Sequence, residues 1–192
     1  MSCSKASAEL ERLGILLMQD QQLPSVVGVF CNRTVNGSWW SIPEAQKIFR
    51  CLDQLEETAI ATRLIKRKVT YVHRRLWPAL VTVGAARQPW QMRELTPDAK
   101  TLLRRMTSGE SPAASGDAAR ELQQRLLVVA HETHTPSGRH ELHLEDWNRW
   151  AARMKVTPLT SVEEAQRELE AASERIGAPP SALPWSNRKR AR

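Results

Sequence analysis

Tyrosine and phenylalanine are scarce in this chain: one Tyr and two Phe among 192 residues, against seven Trp. Aromatic packing therefore rests almost wholly on indoles, each a large apolar body with a single N–H donor. Cysteine is scarce as well. Cys3, Cys31 and Cys51 cannot pair evenly and form no C-x-x-C, which points away from a disulfide framework and towards a reducing, cytoplasmic setting. No apolar run approaches the roughly 20 residues of a membrane span, so no membrane partner is expected. The opening MSCSKASAELERLG carries no apolar core of a secretory signal. A G-x-S-x-G elbow, a Walker loop and a G-x-G-x-x-G after a strand are all missing. Serine-hydrolase and nucleotide-dependent chemistry are disfavoured on that ground.

Acid is missing from one stretch. From Thr58 to Met92 there are seven Lys or Arg (Arg63, Lys66, Arg67, Lys68, Arg74, Arg75, Arg87) and no Asp or Glu. The rest of the chain is balanced at 21 basic and 21 acidic residues, so the whole net charge of +7 sits in that stretch. Such a segment raises the local potential and attracts polyanions, with binding that weakens steeply in salt. A solvated hairpin tip whose charges prevent edge-to-edge pairing is the alternative.

The remaining pattern places elements. Residues 5–18 read as an amphipathic helix through Leu10, Leu13, Leu16 and Leu17. Val26 to Phe30 reads as a buried strand. Ser41-Ile42-Pro43-Glu44 reads as a capping box opening a helix to Glu57. Residues 59–75 read as a hairpin turning at Lys66-Arg67-Lys68. An apolar segment from Leu76 to Ala86 and a Thr96-Pro97-capped helix to about Met106 follow. Thr107 to Gly116 reads as a flexible linker. Beyond it a helical pair and a Ser161-capped last helix are expected, then a basic, disordered tail.

The division that follows is a winged-helix-like part with a basic hairpin over 1–106, a linker over 107–116, a helical part over 117–178 and a tail over 179–192. The fold class is mainly α with a small β component. A helix followed by a two-stranded basic hairpin is the sequence pattern of a winged-helix domain.

The blocks LPSVVGVF, GSWWSIPEAQKIF, KVTYVHRRLWPALVTVG and HTPSGRHELHLEDWNRWA resemble a bacterial family that is itself uncharacterised. That resemblance covers roughly residues 10–154 and implies no activity. The chain is also similar in outline to the winged-helix bacterial glycosylases that unhook crosslinks. Those enzymes use a Gln-x-Gln element, and Gln19-Asp20-Gln21 has its spacing. The likeness makes Gln19 and Gln21 candidate catalytic residues.

Two further groups are candidates. His131, His134, His140 and His143 lie within 13 residues, beside Glu132, Glu141 and Glu145. On paired helices His131 would share a face with His134, and His140 with His143, a density that suits zinc. The spacing is not that of H-E-x-x-H, and hydrogen bonds to the Thr135-Pro136-Ser137-Gly138 turn are the structural alternative. Of Trp39 and Trp40, one belongs in a core and the other half-exposed, where it can stack on a base.

Together these features predict a basic nucleic-acid-binding protein, with DNA as partner and no obligatory cofactor, acting nonspecifically or on structure. Arg63, Lys66, Arg67, Lys68, Arg74 and Arg75 are its expected contacts. An enzyme acting on nucleic acid, or a protein-interaction module docking an acidic partner, are the alternatives.

Overall fold

A computed structural model describes residues 3–134 and 140–186, with the side chains of residues 132–134 and 140–141 outside that description. The chain opens with helix α1 (Cys3–Leu13), strand β1 (Ile15–Leu17), helix α2 (Val26–Cys31) and helix α3 (Ala45–Leu55). The hairpin β2 (Ala59–Thr62) and β3 (Thr70–His73) follows, then helices α4 (Trp77–Ala85), α5 (Pro89–Met92), α6 (Pro97–Thr107) and α7 (Gly116–Gln124). A second hairpin, β4 (Val129–His134) and β5 (His140–Glu145), precedes helices α8 (Trp147–Met154) and α9 (Val162–Arg175). The described residues are thus mostly helical with a small antiparallel component.

The first sheet runs β1-β3-β2, antiparallel throughout, with Ile15 opposite Val72 and Ile60 opposite Val72 from the other side. The expected first helix therefore stops short. Gly14 at φ 85° ends it, and Ile15, Leu16 and Leu17, all fully buried, leave as a central-facing strand. Three consecutive buried residues suit a strand covered on both faces and not one stripe of a helix. Val26 to Cys31 moves the other way, from expected strand to helix. Ser25 caps it, its Oγ accepting from the Gly28 amide, and packing of Val26, Val27 and Phe30 overrides their β preference.

The Ser41 capping box does not form. Trp39–Ser41 is a 3-10 turn capped by Ser38, and α3 starts at Ala45 with no side-chain cap from Glu44. The expected helical pair after residue 117 is a helix and a hairpin: β4 and β5 pair in register from Val129↔Glu145 to His134↔His140. Leu142 and Leu144, two apart, share one face of β5, and Leu144 alone of the two is buried in the core while Leu142 stays exposed.

The cysteines do pair in part. Cys3 and Cys51 form a disulfide between α1 and α3 with Cα atoms 5.2 Å apart, and Cys31 stays a buried free thiol. An odd count hid one bridge between residues 48 apart, and cysteine usage no longer points to a reducing compartment. No helix among the described residues is long and apolar enough to cross a membrane.

Two cores hold the fold. The larger joins α1, the first sheet and α4 to Trp147, Trp150, Leu169 and Trp185. The smaller gathers Leu95, Ala99, Leu103 and Met106 with Leu122, Leu127, Val128 and Leu144, from both sides of residues 107–116. Within that stretch Ala114 donates its amide to Leu142 O, and the Leu144 amide reaches Pro112 O at 2.9 Å. Residues 112–114 therefore run along the free edge of β5.

Gly84 lets α4 approach Trp147 closely. A methyl group there would enter the Trp147 indole, whose Nε1 donates to Leu126 O at 2.8 Å. Past Gly177 the chain continues to a 3-10 turn at Pro180–Ala182, and Leu183 and Trp185 are buried. The part of the expected tail before residue 187 is thus packed, and its basic remainder lies outside the described residues.

Candidate functional site

The hairpin tip is a tight turn with an uncommon occupant. The Lys68 amide donates to Ile65 O at 2.9 Å, and the two residues between, Lys66 and Arg67, both adopt the left-handed conformation at φ 50° and 57°. Two central residues with positive φ define the turn that Asn-Gly normally fills in a hairpin. Lys and Arg meet a Cβ penalty there of roughly 1–2 kcal/mol each.

The surroundings hold the turn in place. Leu64 and Ile65 are fully buried beneath it. The Ile65 amide donates to Thr70 Oγ1, which donates to Lys68 O at 2.9 Å. The Lys66 amide reaches across the molecule to Ala182 O at 2.8 Å. Arg63 braces the turn from below, its Nη1 donating to Arg67 O at 3.4 Å. Burial, and then the charge of Arg120, push the Arg63 pKa below its ordinary value.

What faces water is the trio Lys66, Arg67 and Lys68. Lys68 is not free: its Nζ lies 2.7 Å from Asp20 Oδ2. Burial pushes the Asp20 carboxyl up, but Lys68 and the amides of Gln22 and Leu23 outweigh it and hold the pKa at about 2. Among the described residues, the side chains of Lys66 and Arg67 have no acidic partner.

The tip is a ridge between two clefts. The smaller, about 440 Å³, is lined by Gln19, Asp20, Gln21 and Gln22, by Val35 and Gly37, and by Lys66 and Lys68. The larger, about 830 Å³, runs from Lys66 and Arg67 to Trp90, Arg93 and the segment Ser181–Trp185. Lys66 lines both.

The other expected contacts are elsewhere. Arg74 and Arg75 follow β3 at the end of the hairpin opposite the tip, and Arg75 Nη2 donates to Arg12 O at 3.1 Å. Gln19 and Gln21 do lie beside the tip, but their amides are engaged. Gln19 Nε2 donates to Val35 O and Gly37 O, and Gln21 Nε2 to Asn36 Oδ1. These bonds tie the loop between α2 and α3 to the segment that follows β1.

The histidines sit on strands, so the shared helix faces expected of them do not exist. His131 stands opposite His143, and His134 opposite His140, in backbone register. His143 Nδ1 contacts Ser111 O at 2.9 Å. His131 Nδ1 makes no hydrogen bond and lies 3.8 Å from a Glu145 carboxylate that Arg153 holds at 2.6 Å. Burial lowers the His131 pKa more than Glu145 raises it. Among the described residues no group of three or more His, Cys, Asp or Glu is placed to hold a metal ion. The side chains of His134 and His140 are outside that statement.

Trp39 is buried, and Trp40 stacks on it at 3.9 Å while staying 61% exposed. Trp40 lies in the turn before α3 and packs on its Phe49 at 5.8 Å, and the outward residues of α3 are Gln46, Lys47, Arg50, Asp53 and Gln54.

Sequence reasoning missed Asp20, Trp90 and Arg93. The Gln19-Asp20-Gln21 element drew notice for its glutamines, whereas its aspartate is the residue that reaches Lys68. Trp90 and Arg93 carry no local signal, because only the fold brings α5 beside the hairpin tip. Comparison with family models, with curated proteins and with solved structures finds no match to this chain.

Proposed function

We propose that this chain is a winged-helix DNA-binding protein that contacts the duplex backbone without reading base sequence. The observation that carries the reading is the hairpin tip, where a strained turn presents Lys66 and Arg67 to solvent with no acidic partner among the described residues. A functional demand on the two side chains would offset the strain of keeping them in this turn.

The element order supports the same reading. The run α1-β1-α2-α3-β2-β3, with strands ordered β1-β3-β2, is the arrangement of a winged helix, and β2-β3 is its wing. In that arrangement α2 and α3 take the places of a helix-turn-helix, whose second helix enters the major groove. The outward face of α3 carries Lys47 and Arg50 against Asp53, with Gln46 and Gln54 as neutral donors to phosphate. The connection over residues 32–44 is long for such a motif, and Trp40 projects from it.

A salt titration against duplex DNA tests the proposal. Each phosphate contact adds about 0.9 to the slope of log K against log salt, so Lys66→Ala with Arg67→Ala flattens it by roughly 1.8. The loss is about equal for unrelated sequences. An unchanged slope in a folded double variant overturns the reading.

A further inference from the structure

We infer that the larger cleft seats one unpaired nucleotide, so that the protein favours duplex DNA with a single-stranded end over a blunt duplex. The inference rests on the nucleic-acid reading above and names the substrate feature that reading leaves open.

The lining separates into a cationic wall and an aromatic one. Lys66 and Arg67 stand on the hairpin side, and Arg93 stands beyond α5 with no acidic partner among the described residues. The cleft also contains Arg125, Glu121 and Glu94. Glu121 is neutralised by Arg125 at 3.1 Å and accepts from Thr96 Oγ1 at 2.7 Å. Arg125 is fixed by the carbonyls of Trp90, Gln91 and Arg93, so it is wall and not ligand. Glu94 remains the one acid to set against three available cations, and the balance favours a phosphate.

Trp90 supplies the second half of the recognition. Its Nε1 donates to Gln88 Oε1 at 2.8 Å, an oxygen that also accepts from Gln166. Trp185, tilted against it at 5.9 Å, donates its own Nε1 to Glu170 at 2.7 Å. Both indole donors are therefore engaged within the protein, and Trp90, only partly buried, offers the cleft its apolar ring. A fixed indole beside cations is the pairing that unpaired bases use, the ring stacking while the charges take the backbone. A cleft of about 830 Å³ is in the range of small-molecule sites and is too small for a duplex. Lys66 joins it to the proposed duplex contact, so a strand end leaving the duplex at the tip has a continuous path.

The test measures the affinity of the full chain for a blunt duplex, for the same duplex with a short single-stranded overhang, and for each in excess deoxynucleoside monophosphate. The overhang is expected to bind roughly tenfold more tightly, within the range of stacking one base on an aromatic ring. Arg93→Ala and Trp90→Leu each remove that preference and leave blunt-duplex affinity within about twofold. Arg93 is exposed, so its variant keeps the test decisive if Trp90→Leu fails to fold. Equal affinity of the wild type for both duplexes, or a preference surviving in Arg93→Ala, overturns the inference and leaves the duplex proposal standing. Loss of the preference to micromolar monophosphate assigns the cleft to a free nucleotide and overturns the strand-end assignment. Binding of neither duplex overturns the nucleic-acid reading and this inference with it.

Discussion

Asp20 holds Lys68 at 2.7 Å, and that one pairing sets how many unpaired cations the hairpin tip presents to solvent. The Asp20 pKa falls from an ordinary 3.8 to about 2. A carboxylate whose pKa is lower in the folded than in the unfolded chain stabilises the fold above the unfolded value. That contribution is lost as pH falls through the folded value. The window here is from about pH 4 down to about pH 2, and the contribution is at most about 2 kcal/mol, less where water screens the half-exposed Lys68. Asp20→Asn keeps the acceptor that Gln22 and Leu23 use and removes the charge. Its stability should decline less steeply than the wild type's across that window, by urea denaturation at stepped pH, with Glu9 and Glu163, both held below the ordinary carboxylate range, keeping part of the slope. The same change releases Lys68. The salt slope for duplex binding should then steepen by roughly 0.9, and a slope left as in the wild type would show that Lys68 already reaches phosphate.

At the scale of elements, the turn Ile65–Lys68 sets stability against presentation. Asn at 66 and Gly at 67 suit its two left-handed positions, so Lys66→Asn with Arg67→Gly should raise unfolding stability by about 1 kcal/mol. Duplex binding should fall as in the alanine pair. A variant neither more stable nor weaker in binding would mean that the turn is no site of conflict.

Which elements were legible follows local chemistry. Thr96-Pro97 and Ser161 start α6 and α9 as expected, because each cap bonds its own helix: Thr96 Oγ1 takes the Ala99 amide and Ser161 Oγ the Glu164 amide. The hairpin β2–β3 was legible from β-branched runs around a basic turn. β1 and α2 were not, because Ile15–Leu17 and Val26–Cys31 are short apolar runs that satisfy either period until a partner is chosen. β1 is a strand because β3 supplies its hydrogen bonds, and α2 is a helix because Ser25 caps it. In the site, the exposed cations could be read from the residues. The pairing of residues 20 and 68, and the meeting of 66, 90 and 93, are products of the fold.

Across the whole molecule, the close approach of α4 to Trp147 depends on the absence of a side chain at Gly84. Trp147 fills the space a Cβ would need, and behind it Gln91, fully buried, donates to the carbonyls of Gly84, Arg125 and Leu126. Gly84→Ala should therefore cost about 2–3 kcal/mol although it improves helix propensity. A lowered denaturation midpoint at unchanged slope is the expected signature. A midpoint equal to the wild type would show that α4 and Trp147 separate at no cost.

The bond from the Lys66 amide to Ala182 O joins positions more than half the chain apart. During synthesis the hairpin emerges early, yet the carbonyl that fixes its turn is made near the end. Until then the turn has its local contacts from Arg63 and Thr70 and lacks this one. Order at the hairpin tip is thus coupled to the docking of a segment far along the chain, and loosening the stretch around residue 182 would loosen the turn that displays Lys66 and Arg67.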